Sequence, residues 1–260
     1  IVSAGPSLQR NIEELTDERV RDRFIIVATQ TTLKPLLARG IKPHYVMALD
    51  YSEISARFYE GLSEEQTRGV TLVVEPKVSP AVPAAFPGEI RVTHDPFLDK
   101  LLGPELAPPK GSLQPGATVA HLAYYFARHL GCDPVVLVGQ DLGFTDGQYY
   151  AAGASIHDVW ACELNEFNTL EMMEWERVKR MGSNLRRATD HQGRPVYTDE
   201  QMATYLVQFE RDFAADTRRG LTVIDATEGG VAKRHTTVER LRDVIADVLR
   251  SPGPEASPPV

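Results

Sequence analysis

Short turns bearing Gly, Ser, Gln or Asp recur along this chain, each directly after a short apolar run. Gly5-Pro6-Ser7 is the first. Glycine lets backbone come close to a ligand, and proline suits a first helical turn, where its missing N–H costs nothing. Ser7 can bind phosphate near the positive end of that turn, or simply cap it. The tripeptide is neither the GxGxxG dinucleotide fingerprint nor a P-loop. Gln114-Pro115-Gly116-Ala117-Thr118 precedes a second helical pattern, with Thr118 suited to the N-cap and Gly116 to close approach. Gly139-Gln140-Asp141 follows the apolar run 135–138. An aspartate there can take a ribose hydroxyl, a metal or a sugar amide, or cap the loop 142–150. Asp50, after the run 44–49, carries the same alternatives.

Histidine is the usual general base near neutral pH. His94 abuts Asp95 at a strand end, and His235 follows a Gly-Gly loop. His157 and His191 lie in a polar insert, from which a lid brings either over a substrate. His44 reads as structural, and His121 and His129, off the apolar stripe of their helix, as surface residues. Glu174 and Glu176 read as charges on a solvated helix face. Trp160 and Trp175 are expected to pack the insert onto the body.

The elements that must hold these residues alternate. Apolar, β-rich runs fall at 1–4, 24–29, 44–49, 70–74, 90–93, 135–138 and 221–226, and helical patterns at 8–15, 32–39, 53–62, 119–130 and 238–249. That alternation predicts an α/β fold, a mostly parallel sheet with helices on both faces. Ligands of such sheets bind beyond the carboxyl ends of the strands. Gly5–Ser7, Gln30, Asp50, Gly116–Thr118 and Asp141 are therefore expected to line one cleft. The stretch 79–115 is Pro-rich and irregular. The stretch 151–194, with a helix near 166–180 and a polar run over 182–194, reads as a lid insert. Residues 251–260 read as a disordered tail on a single domain over 1–250.

Composition narrows the function classes. The 260 residues are 42% hydrophobic and 25% charged, which excludes collagen-like and wholly disordered chains. A net charge of −8 argues against a protein that coats nucleic acid. No apolar run approaches the roughly 20 residues of a membrane span, so no membrane partner is expected. Cys132 and Cys162 form neither a disulfide framework nor a zinc site, and a reduced, cytoplasmic setting is the expectation. The chain opens on Ile1 without Met and shows no signal peptide, as a domain cut from a longer protein would.

Three stretches, taken together, carry a resemblance: IVSAGPSLQRNI over 1–12, GCDPVVLVGQDLGFTDG over 131–147 and IDATEGG over 224–230, with LKPLLARGIKP over 33–43 and Ala48-Leu49-Asp50 between the first two. In this order they resemble the motility-associated factor (Maf) flagellin glycosyltransferases, whose central domain shares a family with the 6-hydroxymethylpterin diphosphokinase MptE. The resemblance covers most of 1–230. It implies a Rossmann-like, sialyltransferase-like domain with a mobile lid, moving a nonulosonic acid from a CMP-activated donor to Ser or Thr of flagellin. By the same resemblance Gly5, Pro6, Ser7, Gly116, Thr118 and Asp141 contact the CMP-sugar. Gln140 belongs to the same GQDL strand end, Tyr150 matches a phosphate-binding tyrosine, and Gln30 or Thr31 stands where the sialyltransferases carry an Asn. His191 falls in the stretch that carries their lid base. Ala4 departs from the Asn of the sialyltransferase GNGPS turn. The transferase scheme needs no bound metal. The diphosphokinase alternative needs ATP and Mg²⁺, with Asp50 and Asp141 near the phosphates, and a nucleotide-binding module without activity is the third reading.

Overall fold

The computed structural model describes residues 1–107, 112–154, 157–180 and 182–251, with the Val159 side chain left aside. The expected tail beyond Ser251 lies outside the described residues.

The chain builds a parallel sheet in two halves. One half is β1 (Val27–Thr29), β2 (Tyr45–Ala48), β3 (Thr71–Val74) and β4 (Glu89–Val92), paired in that order. The other is β5 (Val135–Leu137), with β8 (Val223–Asp225) and β9 (Thr237–Val238) beyond it. Between β5 and β8 in sequence, β6 (Leu185–Thr189) and β7 (Pro195–Asp199) form a separate antiparallel hairpin.

The first residues join the halves. Val2 bridges Ala28 on one side and Val138 on the other, both in parallel. Val2 N–H donates to Val27 O at 2.8 Å, Ser3 N–H to Val138 O at 2.9 Å and Gly5 N–H to Gly139 O at 2.8 Å. The strand expected at 1–4 is thus the centre of the sheet. From it the chain steps outward through β1 to β4, then returns to the other flank with β5. That reversal makes the gap between the ends of segment 1–5 and β5 the topological switch point, where open α/β sheets hold ligands.

Alternation along the strands sorts the core. Val27, Met47 and Val73 meet Leu122 and Ala123 of α6 (Val119–His129) on one face. Val46, Ala48, Leu72 and Val74 point the other way, against Leu33, Phe58, Tyr59 and Val82, from α2 (Leu33–Leu37), a 3₁₀ turn over Glu53–Phe58 and α4 (Ala81–Ala85). The same face under segment 1–5 is covered by Leu8, Ile12 and Leu15, by Val20 of α1 (Glu18–Arg23), and by Leu241, Val244 and Ile245 of α9 (Leu241–Arg250). The short α3 (Glu64–Thr67) starts on a capping box of Ser63 and Gln66.

Several elements depart from expectation. The pattern at 8–15 folds as two 3₁₀ helices, Pro6–Arg10 and Ile12–Thr16. The Pro-rich stretch holds α4, β4 and α5 (Pro96–Leu106), which is broken at Gly103. In the insert, α7 spans Leu170–Arg180, and the polar run that follows pairs β6 with β7. The longest helix, α8 (Glu200–Thr217), has no counterpart among the expected elements. Its Phe209 and Phe213 pack against Tyr124 and Tyr125 of α6.

Candidate functional site

The strand ends converge on a cleft of about 300 Å³. Gly5, Gln30, Asp50, Thr118, Gln140, Asp141 and Tyr150 line it, with Tyr149 and Tyr205. Of the expected site residues, Pro6, Ser7, Gly116 and His191 stand outside that lining.

Pro6 opens the first 3₁₀ helix and Ser7, fully buried, turns toward Asp141. Ser7 Oγ donates to Asp141 Oδ1 at 2.5 Å and Ser7 N–H to Oδ2 at 3.1 Å. Thr145 Oγ1 donates to the same Oδ2. Burial pushes the Asp141 carboxyl up from its ordinary range, against these hydrogen bonds and the Lys233 charge, which pull it down. Both oxygens are engaged by protein donors, so Asp141 ties the turn after segment 1–5 to the turn after β5. Gly5 makes the tie possible: a Cβ on it would lie 2.1 Å from Asp141 Oδ1 and 2.5 Å from Gly139 O. Gly139, at φ +65°, meets the same limit from the other side, with Ser3 O 2.2 Å from its would-be Cβ.

The polar groups left at the cleft are ordered by neighbours. Gln30 Nε2 donates to Asp50 Oδ2, and Tyr59 OH donates to Gln30 Oε1 at 3.3 Å. Ser55 Oγ donates to Asp50 Oδ2 at 3.3 Å. Ser3 Oγ donates to Gln140 Oε1 at 2.7 Å, which fixes the amide. Thr118 caps α6, its Oγ1 accepting from His121 N–H at 3.2 Å. Gly116 precedes that cap, its would-be Cβ 2.9 Å from Leu122 N. Tyr150 lines the cleft with Asp50, and burial raises its phenol.

His191 belongs elsewhere. Its Nε2 meets Asp225 Oδ2 at 2.7 Å, on a carboxylate that also holds the fully buried Lys233 at 3.0 Å. These partners pin the tip of the β6–β7 hairpin to the end of β8. The structure does not bring His191 to the cleft.

Two expectations about single residues change. His121 is fully buried, stacked at 3.8 Å on Phe209, because α8 covers the side of α6 that the periodicity leaves to solvent. Glu174 is buried too, taking Tyr149 N–H at 2.6 Å and His157 Nε2 at 2.7 Å. His94 pairs with Asp99. Glu174 and Tyr149 are cleft-supporting residues that sequence patterning missed, since a carboxylate whose partners come from distant loops leaves no periodic signal.

A larger cavity, about 750 Å³, lies on the other side of the loop after β5, lined by Phe144, Thr145, Trp175 and Tyr197 among others. Its arginines are closed on acids: Arg10 on Asp146 at 2.6 Å and Arg194 on Asp190 at 2.7 Å. It lies between the hairpin β6–β7 and the loops after β5 and β8, through residues 144–147 and 229–230. Among the described residues no group of three or more His, Cys, Asp or Glu gathers as a metal set, and no helix is long and apolar enough to cross a membrane.

Residues 1–147 match the sequence family described as 6-hydroxymethylpterin diphosphokinase MptE-like. No curated protein sequence matches the chain. Among solved structures, the Maf glycosyltransferase from Magnetospirillum magneticum AMB-1 is similar in fold, with a TM-score of 0.62 at 22% identity. The match covers 96% of this chain and 35% of that one, so the chain spans about a third of its length.

Proposed function

The chain belongs to the MptE-like family, and from that premise we propose that it is a nucleotide-dependent transferase whose donor is a CMP-activated nonulosonic acid. The observation that carries the reading is the cleft at the switch point, where Gly5, Gln30, Asp50, Thr118, Gln140 and Tyr150 meet. A crevice at this place in a parallel sheet suits a nucleotide. The likeness in fold to a Maf glycosyltransferase supports the transferase branch.

The chemistry asks little of the protein. As the sugar leaves, charge builds on the phosphate, and fixed donors placed there stabilise it. In this reading the start of α6 and Tyr150, both in the cleft lining, take that role. The sugar centre becomes cationic, so the acceptor, a Ser or Thr hydroxyl of flagellin in this reading, needs one base. For His191 to be that base, the hairpin tip must leave Asp225. The stretch 151–194 acts as the lid, with α7 behind Tyr149.

The family's description as diphosphokinase-like favours a second reading, which in this proposal is pyrophosphoryl transfer from ATP with Mg²⁺. Asp141 is closed on Ser7 and Thr145, which leaves Asp50 as the cleft carboxylate with capacity for a cation. Thermal-shift titration separates the two. Stabilisation by CMP or CTP without metal supports the sugar transferase, and stabilisation by ATP only with Mg²⁺ supports the diphosphokinase. Slowed hydrogen exchange over 151–194 on nucleotide binding supports the lid, and unchanged exchange removes it.

A further inference from the structure

The cleft has a charge deficit. Among the described residues its lining carries two carboxylates, Asp50 and Asp141, and no Lys, Arg or His side chain. A phosphate placed there adds negative charge to negative charge, at a site with low-dielectric walls. The turn N–H of Ser7, a natural phosphate donor, is already spent on Asp141. The start of α6 and Tyr150 offer the phosphate dipoles but no full positive charge, so a cation from outside the described lining would add to nucleotide binding.

Most nearby cations are committed. Lys233 is closed on Asp225, Arg10 on Asp146, Arg194 on Asp190 and Arg234 on Glu210. Arg177 of α7 differs. Its guanidinium stands 4.5 Å over the centre of the Tyr149 ring and 5.8 Å from those of Tyr150 and Trp160. Among the described residues no carboxylate pairs with it. Ring faces hold a cation only weakly beside a hydrogen-bonded anion. Two of those rings, Tyr149 and Tyr150, are walls of the cleft. The helix that carries Arg177 is registered to the same wall, since Glu174, one turn earlier on α7, accepts the Tyr149 N–H.

We propose that Arg177 is the phosphate-recognising group of this cleft, delivered from α7 across the Tyr149–Tyr150 platform when a nucleotide binds. The guanidinium slides from the ring faces to the cleft rim and forks onto two phosphate oxygens, which an ammonium cannot do. The insert is then tied to the ligand through charge. This inference rests on the nucleotide reading of the cleft.

Isothermal titration with CMP and with cytidine, on wild type, Arg177→Met and Arg177→Lys, tests it, with AMP and adenosine covering the adenine alternative. Wild type is expected to prefer the nucleotide over its nucleoside without added metal. Arg177→Met loses about ten- to a hundredfold in nucleotide affinity and keeps its nucleoside affinity, so the preference collapses. Arg177→Lys falls between, and a melting curve for each variant checks the fold. An unchanged preference in Arg177→Met overturns the proposal alone, as does a wild-type preference that EDTA abolishes, which assigns the phosphate to a metal ion at Asp50. A wild type that binds neither nucleoside nor nucleotide removes the nucleotide reading, and Arg177's role with it.

Discussion

Ser7 gives Asp141 two hydrogen bonds, one from its hydroxyl and one from its backbone N–H, across a separation of 134 residues. The pair locks the turn that leaves the central segment to the turn that leaves β5. Asp141 also gives its carbonyl to Val231 N–H at 2.8 Å, so the loop after β8 is fastened to the same point. The shape of the cleft floor is set here, by a carboxylate spent on protein donors rather than left open.

Gly5→Ala tests how far that lock depends on the missing Cβ. The methyl has no room while Asp141 and Gly139 O stay in place, so the two turns must part. We expect a stability loss of about 1–3 kcal/mol, the range for overpacking a tight site, with nucleotide binding lost alongside. Urea unfolding and calorimetric titration with CMP measure both. An alanine variant as stable as wild type would mean that the turns are not locked.

Tyr150→Phe separates the wall from its hydroxyl. The ring stays to fill the wall and to face Arg177. Loss of one phenolic hydrogen bond to phosphate weakens CMP binding by about two- to tenfold, with the melting temperature unchanged. Equal affinity in the two proteins would show that the hydroxyl does not reach the ligand.

The strand ends were legible because parallel strands buried on both faces read as unbroken apolar runs, and Gly, Gln or Asp directly after such a run marks the exit. Gly5, Gln30, Asp50 and Asp141 were found that way. Helix α8 was hidden by its own buried charges. Glu210, Asp212 and Asp216 sit in the core side of the helix, answered by Arg234, Tyr125, and Tyr124 with Arg128. Each partner comes from another part of the chain, so the apolar period is interrupted where burial is greatest. His121 was misplaced for the same reason, since the face it occupies is buried only because α8 lies over it. The insert hairpin was unreadable because its first strand is largely exposed.

His121 makes stability depend on pH. Burial lowers its pKa from 6.5 to about 4. Between those values the unfolded chain takes up a proton that the folded chain refuses, so stability falls as pH drops through the window and is fully restored above it. The loss from this group approaches ~3 kcal/mol at the low end. His121→Phe, which keeps the stack on Phe209, should lack that part of the decline. Denaturation curves for both proteins between pH 7 and 4 give the difference, and parallel curves would show that His121 takes up its proton equally in both states.

Asp225→Asn should be the most damaging of the polar changes. It leaves Lys233, fully buried, without its counter-charge, at a cost of about 3–5 kcal/mol. The Lys233 charge and the His191 contact hold the Asp225 carboxyl well below the usual aspartate range, against burial, which alone would raise it. Its stabilisation is therefore present above the unfolded aspartate pKa and is lost only as pH falls toward the depressed folded value. Denaturant titration at neutral pH reads the mutational loss. A variant of wild-type stability would mean that Lys233 finds another acceptor.

Val2, bridged to Ala28 on one edge and Val138 on the other, makes the cleft the property of a joint. Neither half-sheet contains it: one supplies Gln30 and Asp50, the other Gln140 and Tyr150. Residues 1–5 must meet residues near 138 before the centre of the sheet can close, a long-range step of the kind that slows folding. A ligand seated across the joint behaves as a rivet. It binds only when the halves are docked, and its occupancy adds to the stability of their union in proportion to the logarithm of its concentration. Ligand loss and parting of the sheet are then two readings of one equilibrium.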